Sequence, residues 1–134
     1  MNECVDLFID TFSKEPWNDE FKSRKQVVDF FENHFKNNYF VGYTLKDSNC
    51  IVAISIGMKK PWIQGMEYYI DQFCVKHDLQ GKGVGSEFLK LIEADIRLQE
   101  MNAIILNTEK GFPSEKFYLK NGFDELDELV ILAK

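Results

Sequence analysis

At 134 residues, with 45% hydrophobic and 28% charged side chains, the chain is long enough to bury a core without disulfides or a structural metal. Its formal charge of −6 argues against a nucleic-acid partner, which needs a basic surface, and permits a cationic small molecule. No apolar run approaches a membrane span, and three cysteines (Cys4, Cys50, Cys74) without metal-like spacing suit a reducing compartment. The start, MNECVDLFIDTF, is acidic and lacks a basic cluster, which speaks against a signal peptide. A cytoplasmic location, one domain over residues 1–134 and no metal site are expected.

Taken in order, residues 3–13 place Val5, Phe8, Ile9 and Phe12 on one helical face, and Pro16 interrupts. A second helix is expected over 20–36, with Val27, Val28, Phe31 and Phe35 on its buried stripe. YFVGYTL (39–45) and CIVAISIGM (50–58) flank a KDSN turn and read as an antiparallel hairpin. KKPWIQG reads as a loop, MEYYIDQFCVK (66–76) as a third strand, and 83–99 as a helix with Val84, Phe88, Leu91, Ile92 and Ile96 on one side. NAIILN (102–107) is a short strand. PSEKFYLKNG is a helix opened by Pro113 and stopped at Gly122, and ELVILAK closes the chain as a last strand. The order α-α-β-β-β-α-β-α-β implies an α/β layer structure with a mixed sheet.

The run LQGKGVGSEFLKLIE, residues 79–93, sets three glycines at the mouth of a helix. Strand, glycine-rich turn and helix start together make an anion site, where unpaired N–H groups and the helix dipole favour a phosphate. Two phosphate motifs fail on spacing. A P-loop needs Lys-Ser or Lys-Thr after its last glycine, and here Ser86 and Glu87 follow Gly85. A dinucleotide fingerprint needs a glycine at the place that Ser86 or Phe88 holds.

Gln80-Gly81-Lys82-Gly83-Val84-Gly85 matches Q-x-x-G-x-G, the acetyl-CoA pyrophosphate loop of the GNAT N-acetyltransferases. About thirty residues on, Phe117-Tyr118-Leu119-Lys120-Asn121-Gly122-Phe123 resembles that family's second signature, F-Y-x-x-x-G-F on a helix. The element order fits as well, so the resemblance covers nearly the whole chain. It implies a GNAT fold: a mixed, mostly antiparallel central sheet flanked by helices. The family usually opens with a strand before its first helix, whereas this chain begins almost at the helix. The sheet is therefore expected to be one strand short, or its early residues to fold differently. The family often carries Asn and Ala ahead of F-Y, where this chain has Gly111 and Ser114.

The resemblance implies acetyl-CoA as cofactor and a small amine, polycationic acceptors included, as substrate, with direct attack in a ternary complex. Backbone amides of Gly81, Lys82, Gly83, Val84, Gly85 and Ser86, after Gln80, would hold the pyrophosphate. The pantetheine amides would pair with the strand end at Phe73, Cys74 and Val75, and an N–H there would face the thioester oxygen. Tyr118 matches the family's proton donor to the leaving sulfur; on sequence alone it also reads as a core aromatic.

The base is a carboxylate, and Glu67 and Asp71 share a strand face if alternation is regular. Ile70-Asp71-Gln72 with the following Leu79-x-Gly81-Lys82-Gly83 is similar to a group of aminoglycoside 6′-N-acetyltransferases, whose matching aspartate is implicated as base. Cys74 lacks a placed histidine and reads as a buried strand cysteine. Trp17, Trp62 and Tyr69 are candidates to line the acceptor pocket, with strand packing the competing account for Tyr69 and its neighbour Tyr68. Two other readings stay open: a protein or peptide N-acetyltransferase, and a non-catalytic acyl-CoA-binding module. A homodimer is compatible with the sequence.

Overall fold

The computed structural model describes residues 1–134. Its elements in chain order are helices α1 (Asn2–Phe12) and α2 (Arg24–Phe35), strands β1 (Phe40–Asp47), β2 (Cys50–Trp62) and β3 (Gly65–Val75), helix α3 (Val84–Leu98), strand β4 (Ala103–Leu106) and helix α4 (Pro113–Lys120). The strands form one mixed sheet in the order β1-β2-β3-β4. The first three run antiparallel, and β4 lies parallel to β3.

Two apolar layers hold the sheet between helix pairs. On one face Val5 and Phe8 of α1 and Val27 and Phe31 of α2 pack with Ile54, Ile56 and Cys74. On the other, Phe88, Ile92 and Ile96 of α3 and Tyr118 of α4 pack with Ala53, Tyr68, Ile70 and Val75. Helices α1, α2 and α3 each contribute residues three or four apart, the spacing that places side chains on one stripe.

Local chemistry sets the boundaries. Helix α2 begins at Arg24 and not near residue 20, because Ser23 is extended and its hydroxyl accepts the Gln26 N–H at 3.2 Å. Gln26 in turn accepts the Lys22 N–H at 2.8 Å, which closes the cap from the other side. The expected loop at KKPWIQG is mostly strand: β2 runs on to Trp62 and pairs with β3 through Trp62↔Gly65. Pro61 is tolerated there because β1 pairing stops at Met58, so that end of β2 has an open edge.

Two expectations about the sheet's borders are decided. Within residues 1–134 the first element is α1, and the sheet has four strands. The closing strand at ELVILAK is not formed. Residues 124–134 contain only a turn, and no strand lies beyond β4. β4 pairs on one side only, and the segment that periodicity marks as strand finds no ladder partner within the chain.

Candidate active site

The site is built where β3 and β4 part. β3 pairs with β2 along its length, but with β4 only from Glu67↔Ala103 to Ile70↔Leu106. At the next residue the register slips. Ile56 faces Gln72 and Gly57 faces Ile70, which leaves Asp71 as an unopposed bulge residue. Gly57 permits this close approach, since a Cβ there would lie 1.9 Å from the Tyr69 carbonyl oxygen. Beyond the bulge, the edge of β3 turned away from β2 has no strand beside it over residues 71–75.

The glycine loop follows directly. A 3-10 turn at His77–Leu79 leads to Gln80, whose side-chain amide donates to the Val75 carbonyl at 3.0 Å and ties the loop to the strand end. Gly81 (φ 76°) and Gly83 (φ 85°) take the left-handed conformation, and Gly83 stands at the N-cap of α3 without a side-chain cap. Nothing lies within 4 Å of a Cβ placed on either, so the backbone there is open to a ligand. Gly85 does a different job: a Cβ on it would meet the Phe117 ring at 2.9 Å, so it lets α3 and α4 pack closely.

Tyr118, on the F-Y helix, is 9% exposed and packs against Phe73, Phe117 and Phe123. Burial raises its hydroxyl well above the ordinary tyrosine range, with the nearby Cys74 and Tyr68 adding to the shift, so it stays protonated. Cys74 points into the α1–α2 layer, and burial pushes its thiol up to about 12. A thiol held protonated there is no nucleophile; only its backbone lies on the open edge.

A cavity of about 430 Å³ opens between the parted strands and the first two helices. Phe8, Phe12, Trp17, Phe21 and Phe30 line its helical side, and Phe73, Leu106, Ser114 and Tyr118 its strand side. Three carboxylates, Asp19, Asp71 and Glu109, face into it, and no lysine, arginine or histidine does. Aromatic faces and carboxylates together favour a cation.

The two candidate carboxylates are treated differently. The Asp71 Oδ2 lies 2.8 Å from His34 Nε2 on α2, and the His34 ring packs edge-on against Phe30. Glu67 is 5% exposed and accepts from the Lys60 ammonium at 3.1 Å; it does not line the cavity. Trp17 joins Asp71 and Tyr118 in the cavity wall. Trp62 sits at the far end of the β2–β3 hairpin, where its indole N–H donates to Asn102 at 3.0 Å. Tyr69 is also outside the lining, and its hydroxyl accepts from Asn107, which does line the cavity. No local pattern in the sequence singles out His34, Asp19 or Glu109. His34 and Asp71 are 37 residues apart, and only the passage of α2 across β3 brings them together.

The chain belongs to the GNAT acetyltransferase family, whose model matches residues 1–123. That family is one of acetyltransferases. Solved structures with the same fold include the aminoglycoside acetyltransferase meta-AAC0020 from an uncultured soil metagenomic sample, in complex with sisomicin. It is 13% identical, with TM-score 0.75, 99% of this chain covered and 86% of that one. A transcriptional regulator from Bacillus halodurans is 16% identical, with TM-score 0.80 and 99% and 94% covered. The aminoglycoside N-acetyltransferase AAC(6′)-Iy, in complex with CoA, is 10% identical, with TM-score 0.75 and 99% and 87% covered. No curated protein sequence matches the chain.

Proposed function

We propose that this acetyltransferase moves the acetyl group of acetyl-CoA to a primary amine of a small cationic acceptor, by direct attack in a ternary complex. The observation that carries the reading is the cavity at the strand split, lined by aromatic rings and three carboxylates with no cationic side chain. A neighbour of the same fold in complex with sisomicin supports an aminoglycoside-like acceptor.

The residues present fit the donor. The uncapped N–H groups at the start of α3, with the loop from Gln80 through Lys82 and Val84 to Ser86, suit a diphosphate, and the open backbone of Gly81 and Gly83 leaves room for it. The unpaired edge of β3 at Phe73, Cys74 and Val75 suits the amides of the pantetheine arm. Bound there, acetyl-CoA supplies an activated thioester carbonyl and a thiolate leaving group.

The chain's own residues manage charge and protons. Asp71 receives the proton that the attacking amine loses, and His34 holds one carboxylate oxygen so that the other is left for the amine. An N–H of the β3 edge donates to the oxygen on which negative charge develops. Tyr118, kept protonated by burial, gives its proton to the departing sulfur as the C–N bond forms and the C–S bond breaks. Solvent restores both groups. Trp17 presents a ring face to the cation, and Asn107 is held in the cavity wall by Tyr69. Glu67, already neutralised by Lys60, anchors the strand.

Thiol release from acetyl-CoA, measured across aliphatic polyamines, aminoglycosides and peptides, tests the reading. Turnover confined to the small cationic amines is the expected result. Release with peptides only, or acetyl-CoA binding without release, overturns it.

A further inference from the structure

Beyond its bulge β3 alternates again: Cys74 turns to the α1–α2 layer, while Phe73 and Val75 turn to the α3–α4 layer. On that second side the cavity is floored by Ile70, Phe73, Leu106 and Tyr118. Ile70 and Leu106 face each other in the last rung of the parallel ladder, and Phe73 is the one of the four on the unpaired length of β3. Its ring is boxed in. Phe88 stacks on it, with centroids 5.5 Å apart and planes 30° apart, and Phe117 and Tyr118 lie at 5.8 Å and 6.1 Å. Those neighbours have no room to retreat. Phe88 is buried, and Phe117 abuts α3 so closely that a Cβ on Gly85 would lie 2.9 Å from its ring. A ring held on three sides cannot swing aside without displacing the others, because a packed interior holds no spare volume.

We propose that the Phe73 ring sets the length of acyl group that this enzyme transfers, and limits it to two carbons. The inference rests on the donor placement proposed above. With the thioester on the β3 edge at residues 73–75 and its sulfur towards Tyr118, the amine arrives from the α1–α2 side, where Asp71 and the aromatic wall lie. The acyl chain has to leave that side clear. It turns to the α3–α4 layer and meets the Phe73 ring. A methyl group packs against the ring, but each further methylene has to displace a locked aromatic cluster, which is overpacking of a filled site. Phe73 is therefore specificity-determining and not catalytic: its ring moves no proton and fixes only how much acyl chain has room.

Calorimetric titration with free CoA, acetyl-CoA and butyryl-CoA, in the absence of any amine, reads the limit as affinity. The unaltered protein should bind butyryl-CoA about 20-fold more weakly than acetyl-CoA, the scale of overpacking. Phe73→Val removes the ring and should reverse the order, with butyryl-CoA bound about tenfold better, since each methylene that finds apolar space strengthens binding about fourfold. Phe73→Leu, a smaller change, guards against loss of fold in the valine variant and should move the ratio in the same direction by less; thermal melting checks both. Equal or tighter binding of butyryl-CoA by the unaltered protein overturns the proposal. So does an acetyl preference that survives in both folded variants, because the limit then lies elsewhere. With no amine present, those outcomes leave the cationic-acceptor reading standing, whereas failure of free CoA to bind removes the donor placement and the acyl limit together.

Discussion

Glu67 and Asp71 stand four residues apart on β3, yet one is held between two strands with Lys60 on its carboxylate, and the other sits where β4 has already parted from the sheet, against His34 and the cavity. The first half of the strand has both edges paired, so its backbone is used up and its charged side chain must be neutralised where it lies. The second half has one edge open and a bulge at its start. Backbone donors and a carboxylate become available there together. The same strand is scaffold before Ile70 and site after it.

The largest expected effect tests that division directly. Asp71→Asn keeps the side chain's shape and removes its basicity, so turnover should fall by about 100- to 10,000-fold with acetyl-CoA affinity unchanged. The acidic limb of its pH–rate profile should move or vanish. Steady-state kinetics of both carboxamide variants decides the matter: normal turnover in Asp71→Asn with the loss in Glu67→Gln would exchange the two roles.

Tyr118→Phe comes next. It preserves the ring's packing against Phe73, Phe117 and Phe123 and removes only the hydroxyl, so turnover should drop by about ten- to a thousandfold while the melting temperature holds. The pH dependence has a definite sign. Burial raises this hydroxyl above its ordinary 10.0, so the folded state favours the protonated ring. That contribution to stability is complete below pH 10 and is lost as pH rises above it, because the unfolded chain then releases a proton that the folded chain keeps. Alkaline melting should therefore be steeper for the unaltered protein than for Tyr118→Phe. Equal turnover in the two proteins, with chemistry limiting, would leave Tyr118 as a packing residue.

Much of this was legible in the sequence because it is local. The helical stripes, the glycine loop and the F-Y helix are patterns of near neighbours, and they form where the spacing implies, except that Phe35 and Leu91, expected on the stripes of α2 and α3, are exposed. What could not be read depends on contacts across the fold. The bulge at Asp71 lies against Gly57 on another strand, and what separates Glu67 from Asp71 is their partners, Lys60 and His34, which the fold brings to them. His34 meets Asp71 only after α2 packs over the sheet. Trp62 lies in a chain segment that sequence reading takes as a loop; it is strand, and this carries the indole to the hairpin end and away from the cavity. The last strand is a different case: ELVILAK has strand chemistry and lies in a groove beside the free edge of β4, but it forms no ladder with it.

The glycines sharpen the contrast between scaffold and site at a smaller scale. Gly83→Val places a β-branched residue at φ 85° in open space, so it should weaken acetyl-CoA affinity by about tenfold, or about 1.4 kcal/mol. Gly85→Val drives atoms into the Phe117 ring and should instead lower stability by about 1–3 kcal/mol. Calorimetric titration and thermal melting on both variants separate the two. Unchanged affinity in Gly83→Val would remove the phosphate role from the loop.

The smallest effect belongs to Glu67→Gln, and it is informative because it is small. Glu67 is nearly enclosed, but Lys60 has half its side chain in water, so the ammonium keeps its solvation when its partner is neutralised. Glutamine still offers an oxygen to the ammonium at the same place. An ion pair with one partner so open contributes no more than about 1 kcal/mol, and the carboxamide recovers part of that. The variant should melt within a few degrees of the unaltered protein and turn over at nearly its rate, with acceptor KM unmoved, since Glu67 does not line the cavity. A rise in acceptor KM at constant turnover would mean that the cation reaches the paired half of β3, and that the boundary between scaffold and site lies nearer Glu67 than the parting of the strands implies.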